Sequence, residues 1–350
     1  MEFIDLYAGI GGIRFAFEAS GHECVFSSEW DKYSQITYNA FHGEVPFGDI
    51  HEIEDIENEI PNHDLLTAGF PCQPFSLAGV SKKNSMGLLH GFDDATQGTE
   101  FFKVKEILRI KQPATFLLEN VKNLKSHDKG KTFITICESL TEIGYTFETR
   151  IIDAAHWVPQ HRERIYIIGF RNDLNVTPEQ IDALFPNPPE DRIYELGEIV
   201  IPEEEIRELH GDRYTLGLGT WNALQRHRDR HQVRGNGFGF NMNQMPFGNN
   251  VTRTMSARYY KDGAEILLQQ EGEIPRRITP LEACMLQGFP AECYRFFNGE
   301  VKQPVSDAQA YKQFGNSVAV PVLEAIAGNM TNFIEQNELL EEHQFNAIQD

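Results

Sequence analysis

One thiol in this chain stands in an unusual frame. In Ala68-Gly69-Phe70-Pro71-Cys72-Gln73-Pro74-Phe75-Ser76, Cys72 has proline on both sides. Proline fixes φ, so the thiol is presented on a stiff loop. Fixed geometry is what a nucleophile gains from. Burial as a small apolar side chain is the commoner fate of a free cysteine, and it is the expectation for Cys24, Cys137 and Cys284. A doubly proline-flanked loop is a poor place for core packing. The stretch Gly79–Gly98 that follows is rich in Gly, Ser, Lys and Asp. It reads as a loop able to close over a substrate or as plain surface, and composition does not separate the two.

Two further polar groups follow. Thr115-Phe116-Leu117-Leu118-Glu119-Asn120-Val121 ends an apolar run on Glu119. A carboxyl partly buried there holds its proton more tightly and can act as an acid; a helix-capping acid before Lys122–Ser126 is the alternative. In Gln160-His161-Arg162-Glu163-Arg164, strand alternation puts Gln160, Arg162 and Arg164 on one side if the strand begins that early. Such a face can grip a carbonyl oxygen or a phosphate, or be a solvated strand end.

A third group suits an adenosine-containing ligand. Asp5-Leu6-Tyr7-Ala8-Gly9-Ile10-Gly11-Gly12 follows the first strand-like run and opens a helix. Glycines allow a sharp turn and close approach, and a helix N-terminus offers free N–H groups. Glu29, twenty residues after Gly9, ends the second run, where an acid can accept from ribose hydroxyls. Gly48-Asp49-Ile50 can meet an adenine amino group. The spacing is not G-x-G-x-x-G, which disfavours nicotinamide and flavin cofactors. A structural strand–helix turn remains the plainer alternative.

These groups need a scaffold. Apolar runs at Phe3–Tyr7, Cys24–Ser27, Asp64–Ala68, Thr115–Leu118, Phe147–Ile152 and Arg164–Phe170 alternate with helical spacing, as in Phe101–Ile110 and Phe133–Ile143. Alternation predicts an α/β fold, a doubly wound and mainly parallel sheet. Ligands in such sheets sit at the strand ends, which is where Cys72 and Glu119 fall. After Phe170 the text changes, turning acidic and proline-rich to Ile206, then basic and glycine-rich to Lys261. It reads as a smaller domain with irregular loops. Helical patterning returns after Arg276, with Pro280 in a first turn and Val318–Met330 as another helix. The last twenty residues carry five acids and no Lys or Arg, a solvated helix or a frayed tail.

Hydrophobic residues at 41% plus 28 glycines in 350 are enough to build a large core. No apolar run reaches the ~18 residues of a membrane span, and the start, Met-Glu-Phe-Ile-Asp, lacks a signal-peptide pattern. Five scattered cysteines without a C-x-x-C pair suggest neither a disulfide framework nor a metal site, and fit a reducing cytoplasm. The net charge of −21 taken alone disfavours nucleic acid. Its distribution reverses that reading. Arg207 to Lys261 holds nine basic and three acidic residues, a net of +6, against −11 for Met1 to Ile60 and −8 for Arg171 to Ile206.

Taken together the set resembles the DNA cytosine-5 methyltransferases, over nearly the whole chain and in the family's motif order. Asp5–Gly12 is similar to the cofactor motif, with Tyr7 where Phe is usual. Pro71-Cys72-Gln73, Glu119-Asn120-Val121 and Gln160–Arg164 are similar to the catalytic motifs. Arg276–Glu282 with Gln287–Pro290, and Gln313–Val318, are similar to the last two. The resemblance implies S-adenosylmethionine as cofactor, S-adenosylhomocysteine as product, and Cys72 as the thiolate that adds to cytosine C6. Glu119 would hold the ring at N3, Arg164 the O2, and Arg162 would support the catalytic loop. Tyr7, Gly9, Gly11, Glu29, Trp30, Asp49, Ile50, Asn316 and Ser317 would line the cofactor site, with Trp30 stacked on adenine. The division implied is 1–170 catalytic, 171–275 target recognition and 276–350 returning to the catalytic part.

The glycine run Arg234–Gly239 and Val251–Glu265 resemble the bacterial enzymes that methylate the inner cytosine of CCWGG. Gln73, Ser76, Ser81, Arg234, Asn236, Gly237, Arg253 and Arg258 are then the expected DNA contacts, Arg and Asn being able to read base edges. Double-stranded DNA, a cognate restriction endonuclease in the cell, a monomer and a bacterial cytoplasmic location are the implied setting. A tRNA cytosine-5 methyltransferase of the same fold and a catalytically silent DNA-binding homologue are the alternatives.

Overall fold

The computed structural model of the chain describes residues 1–71, 100–191, 193–235, 239–248 and 250–340. Six strands form the main sheet: β1 (Glu2–Leu6), β2 (Glu23–Ser28), β3 (Leu65–Ala68), β4 (Thr115–Val121), β5 (Tyr145–Asp153) and β6 (Glu163–Arg171), in the order β2-β1-β3-β4-β6-β5. Each coincides with one of the apolar runs. The reason is burial on both faces. Phe3, Leu65, Leu117 and Ile168 enter one core, while their neighbours Ile4, Leu66, Leu118 and Ile167 enter another. Strands covered on both sides must be apolar throughout, and each such side chain contributes roughly 1.5–3 kcal/mol on burial.

Helices supply the covers. The first core is closed by α1 (Gly12–Ala19) and by a helix near the C-terminus, Val320–Gln336, which returns to the first strand's face. Glu100–Lys111 and Lys131–Glu142 close the second. A third apolar cluster joins Met255, Tyr259 and Ile266 of the middle region to Ala283, Leu286 and Phe314. The helix Pro280–Leu286 begins as expected at Pro280, with a capping box between Thr279 and Glu282.

Direction within the sheet places the polar groups. β1 pairs in parallel with β2 on one side and β3 on the other, and β3 in parallel with β4. The chain thus changes direction of travel at β1, which opens a crevice beyond the strand ends. β6 alone runs antiparallel to its neighbours β4 and β5. Its first residues therefore lie beside the last of β4, with Val121 opposite Arg164. Reversal of one strand brings Arg164 and Glu119 to the same edge.

The middle region departs from the expected irregular loops in carrying helices, among them Pro178–Asp182, Leu196–Ile199 and Glu203–His210. Within the basic, glycine-rich stretch lies a 16-residue helix, Leu218–Val233, none of whose side chains is buried. A helix that buries nothing carries no apolar stripe, so its sequence shows no helical periodicity. The stretch Gly79–Gly98 and the last ten residues of the acidic tail lie outside the described residues.

Candidate active site

The strand ends frame a cleft of about 940 Å³, within the ~300–1,000 Å³ of small-ligand sites. It is lined by the turns after β1 to β4, the start of β6, residues Thr254–Ala257, and Lys312–Val318 apart from Phe314. Tyr7, Gly9, Glu29, Trp30, Asp49, Ile50, Glu119, Arg164, Asn316 and Ser317 all border it. Gly11 does not. Its place is fixed from behind: φ is +80°, and a Cβ there would sit 2.0 Å from His42 Nε2. Gly9, at φ +59°, has nothing within 4 Å of where a Cβ would be, so its bare backbone faces ligand space.

At the β1–β2 end the turn is held shut by Glu29. Its carboxylate accepts from Gly9 N at 2.9 Å and from Asp31 N at 2.7 Å. Burial raises its proton affinity, and those two bonds oppose the rise. Asp49 accepts from His51 N and stands beside buried Ile50. Trp30 is 71% exposed, which excludes a core role and leaves its ring free to stack. Tyr7 keeps the ring packing expected of Phe against the second core, and its hydroxyl also donates to Glu100 O at 3.1 Å. Gln313 accepts from Thr37 at 2.9 Å, while its buried Nε2 has no partner among the described residues.

At the β4–β6 end, Arg164 Nε lies 3.1 Å from Glu119 Oε1. Both side chains are about nine-tenths covered, at 12% and 10% exposure. Burial pushes the Glu119 carboxyl up, and the guanidiniums of Arg164 and Arg162 pull it back. Glu119 caps no helix: Lys122–Lys125 is a short turn whose preceding residue, Val121, makes no side-chain cap. A buried carboxyl whose proton affinity is raised, beside a fixed cation, has the chemistry to exchange a proton with a ring nitrogen.

Alternation would put Gln160, Arg162 and Arg164 on one side only if the strand began at Gln160; β6 begins at Glu163, so Gln160 and Arg162 precede it, and of the three only Arg164 borders the cleft. Gln160 is fully buried and accepts from Met255 N at 2.7 Å. Arg162 donates to Met255 O at 3.2 Å, to Gly315 O at 3.0 Å and to Ser317 O. Its guanidinium joins the segment at Met255 to the backbone of Gly315 and Ser317. Burial and Arg164 lower it to about 9, so it remains cationic at neutral pH. The expected loop-supporting role of Arg162 involves residues outside those described.

Asn120 is a residue whose role the sequence did not reveal. Its amide donates to Phe70 O at 2.7 Å and so fixes the backbone leading to Pro71, which borders the cleft. Cys72, Gln73, Ser76, Ser81, Asn236 and Gly237 lie outside the described residues. The four described cysteines border no cleft wall, and burial raises the thiol of each, that of Cys24 to about 12. Arg234, Arg253 and Arg258 are exposed, and Arg253 donates to Gly239 O at 2.8 Å. Among the described residues no group of His, Cys, Asp and Glu could hold a metal ion.

Residues 1–332 match the family model of C-5 cytosine-specific DNA methylases. The chain is 46% identical to the DNA-cytosine methyltransferase of Escherichia coli K12, over 96% of this chain and 78% of that one. It is 45% identical to the type II methyltransferase M.NlaX of Neisseria lactamica, over 94% and 96% of the two chains. Among solved structures, S. pombe Dnmt2 methyltransferase superposes with a TM-score of 0.70 at 19% identity, over 96% of this chain and 99% of that one. That likeness is one of fold.

Proposed function

The chain belongs to the C-5 cytosine-specific DNA methylase family and is a DNA-cytosine methyltransferase; on that premise we propose that it methylates C5 of a cytosine extruded from duplex DNA, through a transient bond between Cys72 Sγ and C6. S-adenosylmethionine, when bound, supplies an electrophilic methyl group. The residues present fit it: an open backbone at Gly9, an exposed Trp30, the Glu29 carboxylate and the unpartnered Gln313 Nε2.

The observation that carries the reading is the Glu119–Arg164 pair at 3.1 Å beside the cofactor turns. Cytosine presents O2, N3 and an exocyclic amine along one edge. Arg164 can donate to O2. Protonated Glu119 can donate to N3 and accept from the amine. Protonation at N3 makes C6 more electrophilic, and the Cys72 thiolate adds there. C5 then gains the electron density with which it takes the methyl group. Loss of the C5 proton and departure of Sγ from C6 restore the ring, with S-adenosylhomocysteine as the other product. A stacked base hides both faces of its C5–C6 bond, so the target must leave the helix.

The recognition part is read as residues 171–275, between a catalytic part (1–170) and a returning segment (276–350). Arg234, Arg253 and Arg258 are assigned to the DNA, and CCWGG or a related site is the target. Mapping methylated cytosines in plasmid DNA from cells expressing the protein tests substrate, position and target together. Methylation at one cytosine of a recurring short site is expected. No modified cytosine, or modification without a shared site, contradicts the reading.

A further inference from the structure

The helix Leu218–Val233 is anomalous. Among the described helices of eight or more residues, it alone has no buried side chain. Its inner face is held by Trp221, whose ring lies 4.9 Å from that of Phe240, and by Arg228, whose guanidinium lies 5.1 Å over the same ring. Arg228 is also paired with its neighbour Asp229 at 2.9 Å. Arg226 and Arg230 project from the opposite face, four residues apart, and both are exposed.

Arg230 Nε donates to Arg226 O at 3.2 Å, and among the described residues neither guanidinium is matched by an acid. Two cations at this spacing repel by a few tenths of a kcal/mol. Three arginines near the region are matched to acids, Arg207 to Glu203 at 2.7 Å, Arg213 to Asp307 at 2.8 Å and Arg276 to Glu282 at 2.7 Å, whereas the exposed Arg234, Arg253 and Arg258 form no ion pair among the described residues. Among the described residues, no ion pair includes Arg226 or Arg230. Two exposed arginines without an acid partner, on a chain of net charge −21, fit an anionic partner.

Contacts tie this face to the cleft. Thr254 borders the cleft, the adjoining Arg253 donates to Gly239 O, and Phe240 packs on Trp221. The helix spans ~24 Å at 1.5 Å per residue, the length of ~7 base pairs at 3.4 Å each.

We propose that the outer face of Leu218–Val233, through Arg226 and Arg230, binds the phosphate backbone of duplex DNA flanking the methylated site, without reading sequence. The proposal rests on duplex DNA being the substrate. Phosphate contacts set affinity and its salt dependence and leave base readout untouched.

The test compares the wild type with Arg226→Ala/Arg230→Ala on two duplexes sharing one target, one ending just outside it and one with long flanks. The wild type should bind the long duplex more tightly, and the variant should bind both alike. Two lost phosphate contacts should lower the salt slope by ~1.8, so raising salt fourfold weakens the wild type about tenfold more than the variant. The rate at saturating DNA should be unchanged, and Arg226→Lys/Arg230→Lys should keep the slope. An alanine variant with the wild-type slope and flank dependence overturns the proposal. A wild type that neither binds nor methylates either duplex overturns the substrate reading, and this proposal with it.

Discussion

At the scale of single residues, chemistry depends on groups whose proton affinities are displaced by burial. Glu119 is raised by burial and restrained by Arg164. Glu119→Gln keeps a donor and an acceptor in place but has no proton to give. Methyl transfer should fall by about 10²–10⁴ while DNA affinity changes little; equal turnover would remove Glu119 as the acid. Trp30→Ala should weaken S-adenosylmethionine binding by about 1–3 kcal/mol, the usual value of a base–aromatic stack. Titration calorimetry checks this, and unchanged affinity would contradict stacking. The placement of Glu119, Arg164 and Glu29 at the cleft was legible because strand-end acids and paired arginines are local patterns. The partners of Asn120, Gln160 and Arg162 were not. Asn120 bonds Phe70, 50 residues away, and Arg162 bonds Gly315 and Ser317 across more than 150, so no window of sequence contains both ends.

At the scale of elements, buried polar groups hold the cleft's walls. Asp5 in β1 is wholly buried, accepts from Thr67 at 2.8 Å, and is raised by burial to about 7. A carboxyl raised on folding favours the native state while protonated and loses that contribution as pH rises through its folded value. The wild type should therefore lose stability relative to Asp5→Asn between pH ~4 and ~7, levelling off above. Thermal midpoints across that range decide it, and a constant gap would contradict it. Arg276 and Glu282 form a buried pair at 2.7 Å, with Glu282 also accepting from Ile201 N and Thr279 N. Removing one partner leaves an uncompensated charge, so Glu282→Ala should cost about 3–5 kcal/mol in urea unfolding; a loss under ~1 kcal/mol would show water reaching the site. The strands and the helices that cover the sheet, such as Glu100–Lys111, Lys131–Glu142 and Val320–Gln336, were legible because burial leaves periodic marks. Leu218–Val233 was not, because nothing in it is buried.

At the scale of the whole molecule, charge is segregated. The acidic excess belongs to Met1–Ile60 and Arg171–Ile206, while Arg207–Lys261 is basic. An acidic body with one basic face should discourage misoriented contact with DNA. Binding to random-sequence duplex should be weak and steeply salt-dependent; tight binding at physiological salt would contradict this arrangement. The return of the helix Val320–Gln336 to the first core, with Arg162 bonded to both Met255 O and Ser317 O, makes one unit of parts distant in sequence.

The central claim is that Cys72 bonds to the target cytosine. It is tested most directly by incubating the protein with S-adenosylmethionine and a target duplex carrying 5-fluorocytosine, then mapping the product by peptide mass spectrometry. Fluorine at C5 cannot leave as the proton does, so the account predicts a trapped adduct on the peptide bearing Cys72, heavier by the DNA and one methyl group. No adduct on a duplex that is methylated when it carries ordinary cytosine, or an adduct on another residue, would contradict it.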